Sequence, residues 1–230
     1  MIYSSPCNPS GSVYSKEELR SLADVLVQYS SVVVVSDEIY EHINFTDFYF
    51  SMAAFDDMYQ QVVTVNGVSK SFAMTGWRLG YIGAPEWIAK ACTKIQGQFT
   101  SGASSISQRA ALAAVSYSPK VILPMKEAFL ERRNFMLKEL RNIKGIKINE
   151  PKGAFYLFPD VSELFGQHFD GKTINNADDL CLFLLEEAKV ALVTGNAFGS
   201  PNCIRISYAA SMEQLKEAVY RIKSAISQLN

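Results

Sequence analysis

Histidine and cysteine are both scarce in this sequence, at two and four residues in 230. Cys7, Cys92, Cys181 and Cys203 stand far apart and form no Cys-x-x-Cys pair. That spacing argues against a zinc site or a disulfide framework and makes a reducing cytoplasm the expected setting. No apolar run approaches the roughly 18 residues that a membrane-spanning helix needs. The N-terminus lacks the basic stretch followed by an apolar one that marks a secretory signal. Net charge is missing too: 22 basic and 23 acidic residues leave a formal charge of −1. Composition therefore gives no electrostatic reason to expect nucleic acid or an anionic membrane as partner. What is present is ordinary globular material, 48% hydrophobic and 20% charged, long enough to bury a substantial core. There is no internal repeat and no low-complexity segment.

The first half of the chain alternates strand and helix. Ile2–Ser4 reads as a short strand that ends in the turn cluster Ser5–Gly11. Ser15 followed by Glu18 makes a capping box for a helix carrying Leu19, Leu22, Ala23 and Leu26. Val32–Val35 and Val62–Val65 are β-branched runs of strand length, and Leu79–Ala84 is a third strand. Strand, helix, strand with short connections predicts a largely parallel sheet. Beyond residue 85 helices dominate, at Ser104–Tyr117 and about Lys120 to Asn142. The last third predicts strands at Ile146–Ile148, Ala154–Phe158, Val190–Val193 and Cys203–Tyr208, with helices at Ala177–Ala188 and Ser211–Gln228. The cysteines are expected to be small buried residues.

Ligands of open parallel sheets bind beyond the carboxyl ends of the strands. The polar residues just past the apolar runs here are chemically varied: Asn8, then Asp37 and Tyr40, then Lys70 and Arg78. Each also has a plainer reading. Asn8 suits a turn, Asp37 a helix N-cap, Tyr40 a core aromatic, Lys70 a solvated loop and Arg78 a surface ion pair. Arg205 and Ser207 share a face opposite Ile204 and Ile206 in their strand. An arginine there needs an anionic partner or solvent, unless its strand lies at an exposed edge.

The segment Ser69–Tyr81, with Lys70 eight residues before Arg78, resembles the cofactor-lysine segment of class I and II aminotransferases, the pyridoxal-phosphate enzymes of fold type I. Asn8-Pro9-Ser10-Gly11 is similar to that family's N-P-T-G turn, Asp37-Glu38-Ile39-Tyr40 to its D-E-x-Y motif, and Cys203–Ser207 to its carboxylate-binding arginine strand. The segments occur in the family's order over essentially the whole chain. The resemblance implies an α/β fold: residues 1–118 as part of the cofactor-binding large domain, with a mainly parallel sheet in three α/β/α layers, and 119–230 as a smaller α+β domain. It implies pyridoxal 5′-phosphate as cofactor and no metal, and amino-group transfer between an amino acid and a 2-oxo acid.

The resemblance also implies residue roles. Lys70 would form the internal Schiff base and carry the proton between substrate Cα and cofactor, since a primary amine can exchange that bond with a substrate amine. Asp37 would keep the pyridine nitrogen protonated. Tyr40 and Asn8 would hydrogen-bond the ring's 3′ oxygen, Arg78 would pair with the phosphate, and Ser69 would stand near it. Arg205 would bind the substrate α-carboxylate in bidentate fashion, with Asn8 beside it.

One departure is Gly67, three residues before the lysine, where the family usually has a hydroxyl. A larger one is length, because the family's early strands, phosphate-cradling turn and ring-stacking aromatic have no counterpart here. The chain is thus expected to be the C-terminal part of an aminotransferase, with an unpaired sheet edge, an uncovered apolar face, a tendency to associate in isolation and weak cofactor binding. The intact protein is expected to be a homodimer. The alternatives are a lyase on the same fold, such as one catalysing C–S β-elimination, and a non-catalytic assembly module.

Overall fold

A computed structural model describes all 230 residues. In chain order its regular elements are β1 (Ile2–Ser4), α1 (Lys16–Leu26), β2 (Val34–Asp37), β3 (Val62–Gly67), β4 (Gly80–Gly83), α2 (Glu86–Phe99), α3 (Ser105–Ser116), α4 (Leu123–Leu140), β5 (Tyr156–Leu157), β6 (His168–Phe169), β7 (Lys172–Thr173), α5 (Ala177–Glu187), β8 (Val193–Thr194), β9 (Ile204–Ser207) and α6 (Met212–Ile226). The chain falls into two compact units. One comprises Met1–Cys7, Ser12–Lys126 and Lys152–Ala154. The other comprises Asn8–Gly11, Glu127–Pro151 and Phe155–Asn230.

In the first unit a four-stranded sheet runs in the order β1-β2-β3-β4. β1, β2 and β3 are parallel, and β4 returns antiparallel against β3. The β-branched residues that predict β2 start it late: the ladder runs from Val34 to Asp37, so the polar Ser36 and Asp37 lie inside the strand. α1 is built as its sequence dictates. Ser15 Oγ accepts from Glu18 N at 3.2 Å, and Glu18 Oε2 accepts from Ser15 N at 2.7 Å. Its apolar stripe, Leu19 and Ala23, packs with Val34, Met52, Phe55, Met58 and Val62 on one face of the sheet.

Other parts of this unit leave apolar side chains open. All four residues of β4 are exposed, and α2 buries none of its residues. Trp87 is 63% exposed and Phe99 82%, with Ile95, Ile106, Leu112 and Tyr117 also open. Apolar side chains left open in this number are expected to favour association. The isolated chain is expected to scatter light as a species heavier than its own 25.6 kDa at micromolar concentration; a stable monomer would contradict this.

The second unit contains a three-stranded antiparallel sheet, β5-β9-β8, and a small hairpin of β6 and β7. The hairpin turns at Asp170 and Gly171, both at positive φ, a pair of turn residues that signals a hairpin but is missing from the sequence-based expectations. The strand expected at Ile146–Ile148 reduces to a single bridge from Lys147 to Asp160. None of the four cysteines is fully buried and Cys92 is exposed, so the expectation of buried cysteines does not hold. No helix is long and apolar enough to cross a membrane.

Candidate active site

In the first unit the parallel register aligns Ser4, Asp37 and Val65 across three strands. The chain therefore leaves β1, β2 and β3 at one edge of the sheet. Ser36 and Val34 point to the α1 side, so alternation turns Asp37 to the opposite face. Asp37 Oδ1 accepts from Ile39 N at 3.2 Å, which opens a turn. Glu41 N and Ile43 N then donate to the carbonyls of Glu38 and Tyr40, at 2.9 and 2.8 Å. Tyr40, in this turn, is 4% exposed.

β3 delivers Lys70 to the same edge. Its loop is folded on itself: Ala73 N donates to Lys70 O at 3.1 Å, Met74 N to Val68 O at 3.3 Å, and Thr75 Oγ1 to Ser69 O at 2.9 Å. Buried Val68 anchors the loop on Ala111 and Ala114 of α3, with Phe72, Met74 and Leu79 around it. The outcome is that Lys70 Nζ stands 5.8 Å from the centre of the Tyr40 ring. Arg78 ends the single turn Thr75–Trp77 at φ 53° and is exposed. Its Nη1 donates to Thr75 O at 3.0 Å, so the loop itself orients it and the surface ion-pair reading does not apply.

The second unit holds Asn8 and Arg205. β9 is the central strand of its sheet, so Arg205 is not an edge residue. Arg205 Nη1 donates to Asn8 Oδ1 at 2.9 Å. The guanidinium lies 4.7 Å from the Tyr156 ring and 5.0 Å from the Phe198 ring. Its Nε is buried with no hydrogen-bond partner, and leaving a buried donor unpaired is costly. Phe198 reaches this position on the turn Gly195–Phe198, which requires glycine at its start. A Cβ on Gly195 would stand 2.1 Å from Ser200 O and 2.4 Å from Cys203 O.

Several residues around these clusters are not among the candidates that the motifs pick out. Glu38 is 3% exposed; its Oε1 accepts from Ser36 Oγ at 2.8 Å and Ser51 Oγ at 2.6 Å, and Tyr49 hydrogen-bonds it as well. Burial pushes the Glu38 carboxyl above the usual glutamate range, against the pull of those hydroxyls. Burial and then the Glu38 charge drive the Tyr49 phenol far up, and burial takes Tyr3 up to about 12. Glu41 accepts a hydrogen bond from Asn66. The density of acids in residues 37–41 could have drawn attention to both glutamates; their distant partners carry no sequence signal. No group of three or more His, Cys, Asp or Glu could hold a metal ion.

Comparison with known proteins identifies the family. The family model "Aminotransferase class I and II" matches residues 1–222. A bifunctional aspartate aminotransferase and glutamate/aspartate-prephenate aminotransferase of Petunia hybrida is 50% identical over 231 residues, covering 98% of this chain and 48% of its own length. The crystal structure of an aspartate aminotransferase from Rhizobium meliloti superposes with a TM-score of 0.95 at 41% identity, covering all of this chain and 58% of that one. An aromatic aminotransferase from Pyrococcus horikoshii OT3 gives 0.89 at 37% identity, covering 98% and 59%. The chain spans about half the length of the curated relatives it matches. The motifs lie in the family's order, and the family pattern extends over nearly the whole sequence: this chain belongs to the class I and II aminotransferases.

Proposed function

We propose that the chain carries the lysine half of a pyridoxal-phosphate-dependent aminotransferase, which moves an amino group reversibly between an amino acid and a 2-oxo acid. The observation that supports it most is the primary amine of Lys70 beside the Tyr40 ring, at the sheet edge where Asp37 ends β2. An amine, a phenol and a carboxylate are the donor set that an aromatic aldehyde with a basic ring nitrogen needs, so the residues fit the cofactor. When bound, pyridoxal phosphate supplies a carbonyl that bonds amines reversibly and a ring that accepts an electron pair.

The chain's own groups then have distinct tasks. Lys70 would hold the cofactor through its primary amine and would move a proton at the substrate Cα. Asp37 holds a proton on the ring nitrogen by its charge. Tyr40 hydrogen-bonds the ring oxygen, and Arg78, with Ser69, takes the phosphate. Arg205, its plane set by Tyr156, Phe198 and Asn8, receives the amino acid's carboxylate. In this reading 1–118 belongs to the large domain and 119–230 is the small domain, the intact protein is a homodimer, and its compartment is the cytoplasm. The names of the relatives make aspartate the first amino donor to try.

The test is to incubate the chain with pyridoxal phosphate, reduce with borohydride and map the modified lysine by mass spectrometry. A pyridoxyl group concentrated on Lys70, with oxaloacetate formed from aspartate, supports the reading. Scattered labelling over surface lysines refutes it. Ammonia released in step with oxo acid, from a sulfur amino acid, supports the lyase.

A further inference from the structure

The turn that bears Tyr40 and the strand that leads to Lys70 are tied by one side-chain bond. Asn66 Nδ2 donates to Glu41 Oε1 at 2.7 Å, between residues 25 apart in sequence. Asn66 is 8% exposed, and its Oδ1 accepts from Gly67 N at 2.7 Å, so the amide is fixed at both ends. Glu41 comes directly after Tyr40, from a turn whose backbone bonds are already made. On the β2 side the ladder stops at Asp37 and Val65, whereas Asn66 and Gly67 pair with Tyr81 and Gly80 of β4. The last backbone link there is Glu38 N to Val65 O at 2.8 Å. Beyond it, the Glu41 carboxylate holds the end of β3 against the Tyr40 turn, four residues before Lys70.

We propose that Glu41 is a positioning residue: by clamping Asn66 it sets the distance between the Lys70 amine and the Tyr40 ring. This rests on the reading of Lys70 as the cofactor lysine, because only then does that distance govern chemistry. A charged acceptor makes the bond stronger than an amide pair would, and it is partly screened from water. His42 Nε2 lies 3.4 Å from the same Oε1, and the Tyr81 phenol feels the Glu41 charge. Neither reaches from Glu41 to the Lys70 strand as Asn66 does.

The clamp can be read without cofactor. After reductive methylation with ¹³C-formaldehyde, each lysine gives its own methyl signal, and Lys70→Arg identifies that of Lys70. The Tyr40 ring, 5.8 Å from the Lys70 amine, is expected to shift it away from the signals of exposed lysines such as Lys94. In Glu41→Ala this signal is expected to move into the exposed-lysine group, and in Glu41→Gln, whose side-chain carbonyl still accepts from Asn66, to stay. Asn66→Ser cuts the bond from the other side and takes the same test should Glu41→Ala not fold. With pyridoxal phosphate and borohydride, Glu41→Ala is expected to label Lys70 about tenfold more slowly, a loss within the range of an ångström-scale misplacement, with Glu41→Gln near wild type.

An unmoved Lys70 signal in both Glu41→Ala and Asn66→Ser would overturn the clamp, and so would a Glu41→Gln that behaves like alanine. A wild-type chain that never labels at Lys70 would instead overturn the cofactor assignment, which the methyl signal does not touch.

Discussion

On the reading of Lys70 as the cofactor lysine proposed above, alanine at that position is expected to abolish amino-group transfer, by a factor of about 10⁴ or more, while the chain stays folded. The size comes from chemistry: no other side chain of the cluster can hold the carbonyl carbon reversibly, and losing a covalent catalytic group costs several orders of magnitude. Lys70→Arg makes the argument sharper. It keeps the positive charge beside Tyr40 but has no exchangeable primary amine, so it should be as inactive as alanine. Small primary amines added to Lys70→Ala should restore part of the proton transfer, because the base is what the site then lacks. The measurements are single-turnover conversion of aspartate, with circular dichroism as a check on folding. Arginine with near wild-type activity would mean that charge, not amine chemistry, is what Lys70 supplies.

The second large effect concerns stability. Glu38→Ala would leave the hydroxyls of Ser36, Ser51 and Tyr49 without their shared acceptor in the interior. Tyr49 keeps the Ser5 carbonyl at 3.4 Å, so at about 1 kcal/mol or more for each of the two stranded serine hydroxyls the expected loss is about 2 kcal/mol in urea denaturation. The pH dependence has a defined sign. Burial holds the folded carboxyl above its usual range, so the folded state takes up the proton more readily than the unfolded one. The stabilisation from this linkage is complete below the ordinary glutamate value and is lost as pH rises through the higher folded value. The facing groups are Tyr3 from β1, Tyr49 beside Ser51, and Glu41. Both phenols are raised and stay neutral across this window.

Asp160 and Asp179 are held low by hydrogen bonds, from Ser162 and Asn175 respectively. They contribute with the opposite slope, present above the ordinary aspartate value and lost as pH falls through the folded one. The informative quantity is therefore wild type minus Glu38→Gln. That difference should decline as pH rises above the glutamate range; a flat difference would show that Glu38 ionises in the folded chain as freely as in the unfolded one.

Much of the first unit could be read directly from local patterns. The Ser15–Glu18 box starts α1, and the valine runs place β2 and β3, because capping and β-branching act over a few residues. The reversal of β4 could not be read this way. Leu79–Ala84 reads as a strand, but its direction depends on a partner, β3, fixed by contacts outside the segment. Short strands of the second unit fared worst. β5 and β8 contain two residues each, too few for a periodic signal, so their limits were set by pairing with β9.

The candidate site divides along the same line. Lys70, Asp37, Tyr40, Arg78 and Arg205 were legible because reactive side chains recur in order within short motifs. Glu38, Glu41, Asn66, Tyr156 and Phe198 were not singled out, since each acts through a partner brought near by folding.

Local order along the chain was thus enough to mark the candidate residues, α1 and the valine strands, and to which family the chain belongs. All of these depend on neighbours along the backbone. Packing in three dimensions was needed to put Lys70 over Tyr40, to bond Asn66 to Glu41, and to hold Arg205 between two rings with an unpaired nitrogen. The reason is physical: hydrogen bonds and ring contacts act over a few ångströms in space, and only the packed sheet and its loops bring residues distant in sequence within that range.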